Sequence, residues 1–267
     1  MKKIVFWLAF IVGIIAVIGA CSKSEEDSST AATSCMGSSS LRDVAASSCS
    51  GTPSGSITGI DNTTLSGVFS TMHGYSHQSG EMGVDNSTDC IDNATLITAF
   101  SSGLGGSPTG TNGLIINYAV TSSSSIAQRY AFYSDTSCTS EILAFHWGYK
   151  DFAVGDAVTG LTTSVGGKTY SSTATKVSYQ QNCLGAKASN DAGVTWFKTF
   201  FGDSNVNPTV GTSYSCAVDG STTNAFMHVD NASTYSTAYG GGRVVYWDDE
   251  ATSDWTTNTD TLLVVGD

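Results

Sequence analysis

The sequence predicts an all-β fold, built as an antiparallel barrel or a sandwich with one or two short helices. Short apolar stretches recur along the chain, and Gly, Ser, Thr, Asn and Asp separate them. Several of these stretches alternate apolar and polar residues, as half-buried strands do. Ala, Leu, Glu and Lys, which favour helices, are not abundant. Charged residues make up only 13% of the 267 residues.

The first twenty residues have the pattern of a secretory signal. Lys2 and Lys3 precede an uncharged apolar run, Ile4–Ala20, which ends in small residues. A transmembrane anchor is the alternative interpretation. The run is at the lower length limit for a span, and no basic cluster follows it. We therefore predict a signal peptide over residues 1–20.

The end of this run carries a specific motif. Ile18-Gly19-Ala20-Cys21 resembles the lipobox of bacterial lipoproteins, in which the Cys is diacylated and becomes the new N-terminus. The resemblance implies a lipid on Cys21 and, through it, the membrane as a partner. Ser22 stands where an Asp would retain a lipoprotein at the inner membrane. The resemblance therefore implies the cell envelope of a Gram-negative bacterium, at its outer membrane.

Residues 21–56 are predicted to form a flexible tether and residues 57–267 a β-rich domain. Ser, Gly and Thr dominate the first of these segments, and such a composition cannot bury a core. The predicted signal removes two of the 11 basic residues and none of the 23 acidic ones, so the exported chain carries a net charge of 9 − 23 = −14. This acidic balance excludes a phosphate-binding surface, and we expect no nucleic acid as partner.

The cysteines fit an exported protein. Without Cys21 their number is six, which is even, and disulfides persist outside the cytoplasm. Three bridges allow 15 connectivities, and sequence alone does not choose among them. Local closure has the lower entropic cost, so we predict that neighbours pair. The predicted bridges are Cys35–Cys49, Cys90–Cys138 and Cys183–Cys216. No C-x2-C pair occurs, which disfavours a zinc site.

Nine strands are predicted from the apolar stretches. Ile126, Gln128, Tyr130 and Phe132 would share one face of their strand. The predicted strands are Gly67–Met72, Leu114–Thr121, Gln128–Ser134, Ile142–Tyr149, Thr173–Gln180, Ser213–Val218, Ala225–Val229, Arg243–Trp247 and Leu262–Val265.

Two helices are predicted between the strands. Asp92 would cap the first, which carries Leu96, Ile97 and Phe100 and ends at Gly103. Asp191 would cap the second, which buries Val194, Phe197 and Phe201 and ends at Gly202.

The dipeptide Asp-Asn recurs along the chain. Residues 60–65, which read IDNTTL, are similar to residues 91–96, which read IDNATL. A small duplicated binding unit would produce this similarity. Asp-Asn is also favourable turn and cap chemistry, and two partial copies do not make a repeat protein. We favour reuse of the dipeptide.

Two short segments carry a second resemblance. Leu65–Phe69 precedes the β-rich stretch, and Phe132–Thr139 is an aromatic strand that runs into a Ser-Asp turn with a Cys. Together they look like lipocalin-like domains of bacterial lipoproteins, although lipocalins have Trp where Phe69 stands. The resemblance implies an up-and-down barrel whose interior holds one small apolar ligand.

His73 and His77 are the candidate metal ligands. Glu81 and Asp85 follow at the same spacing of four, and the four side chains would share one face of a helix. Three glycines interrupt this segment, so a helix is disfavoured and an exposed polar loop is the competing interpretation. A metal-dependent hydrolase built on these residues is our least favoured function.

Three tryptophans are the candidate ligand-binding residues. Trp147, Trp247 and Trp255 could stack on a sugar or line an apolar cavity, while core packing is the alternative for each. No catalytic residue or cofactor is predicted, because the chain lacks nucleophile, P-loop and dinucleotide motifs. We therefore expect a non-catalytic envelope lipoprotein that binds a small apolar ligand. A surface adhesin or carbohydrate-binding module is the alternative.

Overall fold

A computed structural model of the chain describes most of the predicted β-rich domain. The described residues are 42–43, 53–71, 90–159, 164–165, 168–169, 173–201, 207–217, 221–230, 243–251 and 262–266. Predictions for residues 1–41 and 72–89, including Cys21, Cys35, His73 and His77, lie outside them, as does Cys49.

The described residues contain fourteen strands, two α-helices and one 3₁₀ turn. The first strands are β1 (Arg42–Asp43), β2 (Ser56–Ile60), β3 (Thr63–Ser66) and β4 (Val68–Thr71), followed by α1 (Ala94–Ser101) and the 3₁₀ turn Ser102–Leu104. Next come β5 (Gly113–Ser122), β6 (Ser125–Tyr133), β7 (Glu141–Thr159), β8 (Ser164–Val165), β9 (Lys168–Thr169) and β10 (Thr173–Ala188). The last are α2 (Asp191–Phe201), β11 (Ser213–Ala217), β12 (Thr222–Asp230), β13 (Arg243–Ala251) and β14 (Leu262–Gly266).

Ten of these strands form one antiparallel sheet, which confirms the all-β class. Its order is β1-β11-β10-β12-β13-β14-β4-β5-β6-β7. Strand β10 also pairs with β7, from Thr173 opposite Thr159 to Ala188 opposite Leu143. The hairpins β2–β3 and β8–β9 form two separate small sheets. All nine predicted strands are present, with ends that differ by a few residues in most, by eight in β10 and by about ten in β7.

One face of the large sheet carries the core. Ile126, Gln128, Tyr130 and Phe132 of β6 are all buried on it, as the alternation predicts. The register places Tyr130 between Ile116 of β5 and Phe145 of β7. Each large apolar side chain buried here contributes about 1.5–3 kcal/mol relative to an exposed one.

Helix α1 begins one residue later than predicted. Its N-cap is Asn93, whose Oδ1 accepts hydrogen bonds from the backbone N–H of Thr95 at 2.9 Å and of Leu96 at 3.2 Å. The prediction of Asp92 as the cap is therefore wrong by one position. The 3₁₀ turn carries the chain past Gly103 to Gly105, which has a left-handed conformation.

Helix α2 covers the residues that the sequence predicts. Asn190, one residue before the predicted cap Asp191, accepts a hydrogen bond from the backbone N–H of Gly193 at 3.1 Å. Phe197 is fully buried, and the ring of Trp196 is stacked on that of Phe200 at 4.7 Å. Both of these stacked rings also pack edge-on against Phe145, so α2 packs on the core.

The hairpin β2–β3 is an element that the sequence analysis did not predict. Its two-residue turn is Asp61-Asn62, and both residues have positive φ, +46° and +59°. Such a turn matches the twist of paired strands, and Asp and Asn tolerate this conformation better than most residues. Ile57, Ile60 and Leu65 of the hairpin are buried in the same core as the large sheet.

The disulfide Cys90–Cys138 confirms one predicted pairing. Cys183 is also disulfide-bonded. Within the predicted tether, Arg42 and Asp43 form β1 and pair with Ser215 and Tyr214 of β11.

Candidate functional site

Among the described residues, a candidate site is a small apolar cavity on the core face of the sheet, called here the inner cavity. It has room for about one water molecule, about 10 Å³, and its wall is apolar. Hairpin β2–β3 closes one side of it through Leu65. The other wall residues are Phe69, Tyr118, Val120, Ile126, Met227 and Val245. They come from β4, β5, β6, β12 and β13, so strands from distant positions in the sheet order surround one space.

A hydrogen-bonded chain of three side chains adjoins the cavity. Gln128 is 1% exposed, and its Nε2 donates to Tyr118 Oη at 2.7 Å. Its Oε1 accepts from Tyr149 Oη, also at 2.7 Å. Because buried polar groups are costly unless they are hydrogen-bonded, the two tyrosines make Gln128 tolerable in the core.

The tip of hairpin β2–β3 is fixed to the large sheet by Asp61. Its Oδ2 accepts from the backbone N–H of Val229 at 2.8 Å and lies 2.5 Å from Nδ1 of His228. Its Oδ1 accepts a hydrogen bond from Thr175 Oγ1 at 3.2 Å. The backbone N–H of Asp61 in turn donates to Thr175 Oγ1 at 2.9 Å. These four residues, named the Asp61 cluster, join the hairpin to β10 and β12.

The electrostatics of the Asp61 cluster favour an ionised carboxylate. Burial by itself would raise the pKa of Asp61. The hydrogen bonds from His228, Val229 and Thr175, together with the charge of His228, outweigh that effect and hold the pKa below its ordinary value. The hairpin is therefore held by a charged group at neutral pH.

Of the three candidate tryptophans, Trp147 is the one whose side chain is among the described residues. Trp147 is 2% exposed and packs edge-on against Phe145 at 4.4 Å and Tyr130 at 4.8 Å. It is a core residue and does not line the inner cavity. The backbone of Trp247 belongs to β13, whereas its side chain and the whole of Trp255 lie outside the described residues.

Among the described residues, no group of three or more His, Cys, Asp or Glu side chains is placed to hold a metal ion. His146, on the face of β7 opposite to Trp147, is mostly buried. Burial and the positive charges of Arg129 and Lys187 lower its pKa to about 3. Its Nδ1 has no hydrogen-bond partner.

Two members of this site were not singled out from the sequence. Asp61 was visible only as part of the repeated Asp-Asn dipeptide. Gln128 was visible as the one amide in an otherwise apolar set of alternating residues. The dipeptide indicates a local turn, and the alternation indicates one face of a strand. Neither pattern indicates which side chains contact each other across the sheet.

A scan against models of known protein families finds no match, and a search of curated proteins also finds none. Within the part of the chain described above, neither helix has the length and apolar character needed to cross a membrane.

Proposed function

We propose that this chain is an envelope lipoprotein, anchored by a lipid on Cys21, whose domain is a closed lipocalin-like barrel that binds a small apolar ligand. The observation that carries the proposal is the inner cavity, which side chains from five strands of the large sheet and one hairpin residue enclose.

Strand pairing supports a closed barrel over a sandwich. Following the antiparallel pairs from β4 through β5, β6, β7, β10, β12, β13 and β14 leads back to β4. Eight strands enclose an interior just wide enough for side chains or for one small ligand. A sandwich would instead break this ring into two sheets that face each other.

The site itself indicates the chemistry of the ligand. Its wall is apolar, which suits an apolar molecule such as one with a long hydrocarbon chain. The cavity as it stands holds about one water molecule, so such a ligand must displace hairpin β2–β3, whose Leu65 forms part of the wall. In this proposal the hairpin is a lid, and the Asp61 cluster holds it closed.

Ligand binding is tested with a matched pair of valine variants and a fluorescent fatty-acid probe. Val120→Phe fills the cavity wall and should weaken probe binding at least tenfold, because the larger ring takes the space that the probe needs. Val68→Phe is the control, since Val68 is 38% exposed on the neighbouring strand β4. Equal probe affinity in the wild type and both variants would sink the ligand proposal. Selective glycan binding with no probe binding would favour the adhesin alternative.

Lipid anchoring has a separate test. Expressed in a Gram-negative host with radiolabelled palmitate, the wild-type chain should incorporate label and partition into detergent. The Cys21→Ala variant should do neither, because the thiol that carries the lipid is absent. Cys35→Ala is the control and should keep its label. Label retained by Cys21→Ala would overturn the proposal of a lipid on that residue.

A further inference from the structure

We propose that hairpin β2–β3 opens by turning about a hinge on strand β5, so that the ligand enters between the hairpin tip and strands β10 and β12. The Asp61 cluster is the latch that controls this opening. The inference rests on the proposed function for the ligand, whereas the hinge and the latch are tested without one.

Both ends of the hairpin are attached to one residue of β5. Before β2, the backbone N–H groups of Ser54 and Gly55 donate to the carbonyl oxygen of Val120, each at 3.2 Å. After β3, the carbonyl oxygen of Gly67 accepts a hydrogen bond from the N–H of Val120 at 3.0 Å. Val120 therefore holds both arms of the hairpin, as a common axis requires. These contacts of Gly55 and Gly67 with Val120 are called here the hinge.

The two glycines suit this hinge. Gly55 lies against the backbone of β5, where an added Cβ would be 2.2 Å from the Cα of Ser122, so only glycine allows the close approach. Gly67 has φ of +87°, a conformation that favours glycine. Among the described residues, no atom lies within 4 Å of a Cβ added at Gly67, so the chain has space to rotate there.

Between the hinge and the tip, the hairpin is not part of the large sheet. Strands β2 and β3 pair with each other and, over the described part of the chain, with no strand of that sheet. The hairpin is held instead by the burial of Ile57, Ile60 and Leu65. Opening therefore breaks no ladder hydrogen bond. A hydrocarbon chain in the cavity would cover part of the apolar surface that opening exposes, which lowers its free-energy cost.

The latch lies at the other end of the hairpin, and two of its hydrogen bonds report directly on opening. The backbone N–H of Val229 donates to Asp61 Oδ2 at 2.8 Å, and the N–H of Asp61 donates to Thr175 Oγ1 at 2.9 Å. Both N–H groups lose these acceptors when the tip lifts. The N–H of Val120 keeps its bond to Gly67, because the hinge stays in place.

Hydrogen exchange of these three backbone amides, followed by NMR without ligand, tests the hinge and the latch. In the wild type, the amides of Asp61 and Val229 should have equal protection factors, and that of Val120 should be at least tenfold larger. Asp61→Asn should lower the protection of the first two amides at least tenfold, because the charged acceptor is lost. It should leave the protection of Val120 unchanged.

Asn62→Gly is the matched control in the same turn. Asn62 is exposed and has φ of +59°, which glycine also adopts. This variant should leave all three protection factors within twofold of the wild type. Equal protection of Val120 and Val229 would refute the hinge. An unchanged Val229 in Asp61→Asn, or an equal loss of protection in Asn62→Gly, would refute the latch.

Stopped-flow binding of the fluorescent fatty-acid probe tests the entrance. Because the tip must lift before the probe enters, Asp61→Asn should raise the association rate constant at least fivefold, and Asn62→Gly should not. Equal rate constants in the wild type and Asp61→Asn would overturn the entrance. Absence of probe binding in all three proteins would contradict the proposed function and with it the entrance, while hydrogen exchange still decides the hinge and the latch.

Discussion

At the scale of single residues, the same dipeptide has two different structural roles. Asp61-Asn62 forms the turn of hairpin β2–β3, where both residues have positive φ. Asp92-Asn93 precedes α1, where the Asn side chain caps the helix. The chain thus uses the dipeptide for turn and cap chemistry, in agreement with our preference for reuse over a duplicated binding unit.

The Asp61 cluster predicts a pH-dependent contribution to stability. At pH 7 the Asp61→Asn variant should lose about 1–3 kcal/mol of unfolding free energy, since a charged acceptor is replaced by a neutral amide. Because the pKa of Asp61 is lowered in the folded state, this contribution is complete above the unfolded-state pKa. It is lost as the pH falls through the lowered folded-state pKa.

Urea unfolding of both proteins between pH 7 and pH 2 measures this effect. The difference in unfolding free energy between wild type and variant should shrink as the solution becomes more acidic. Asp156→Asn, at an exposed position of β7, should stay within about 0.5 kcal/mol of wild type. A difference that is constant over the whole range would contradict an ionised Asp61 as the hairpin contact.

At the scale of elements, the alternation of apolar and polar residues predicts the positions of strands more accurately than it predicts their ends. Strand β7 was predicted as Ile142–Tyr149 and extends to Thr159. Its second half contains exposed polar residues and Asp151 with φ of +53°, which a local pattern does not identify as strand. Pairing with β10 supplies the backbone hydrogen bonds there, and that partner is distant in sequence.

Helix α1 offers a test of the corrected cap. Asn93→Ala should destabilise the protein by about 0.5–2 kcal/mol, because the N–H groups of Thr95 and Leu96 lose their acceptor. Asp92→Ala is the matched control at the cap position that the sequence alone predicts. It should lower the unfolding free energy by less than Asn93→Ala does. Thermal unfolding of the two variants compares them, and a larger loss for Asp92→Ala would reverse the assignment of the cap.

At the scale of the whole molecule, covalent and backbone links connect distant parts of the chain. The Cys90–Cys138 bond spans 48 residues and joins the segment before α1 to the turn after β6. Strand β4, near the beginning of the described domain, pairs with β14 near its end. Such long-range pairs make the fold depend on closing large loops.

The Cys90–Cys138 bond should account for a measurable part of the stability. Replacing both residues by Ser should lower the unfolding free energy by about 2–4 kcal/mol, because the unfolded chain regains the entropy of a long loop. Calorimetry should show a fall in Tm of roughly 5–15 °C for a domain of this size. Cys21→Ser, in the predicted tether, is the control and should leave Tm unchanged. A double variant with the same Tm as the wild type would refute a stabilising role for the Cys90–Cys138 bond.

The sequence by itself determined the all-β class and the approximate positions of nine strands and two helices, and with loop entropy it predicted one disulfide correctly. These features depend on alternation, on cap and turn residues and on cysteine spacing, all of which are local. Only the tertiary structure decided that Asp61 contacts Thr175 and His228, that Gln128 joins two tyrosines, and that Trp147 is a core residue. Such contacts join residues from different strands, and their register follows from the packing of the whole sheet rather than from local sequence.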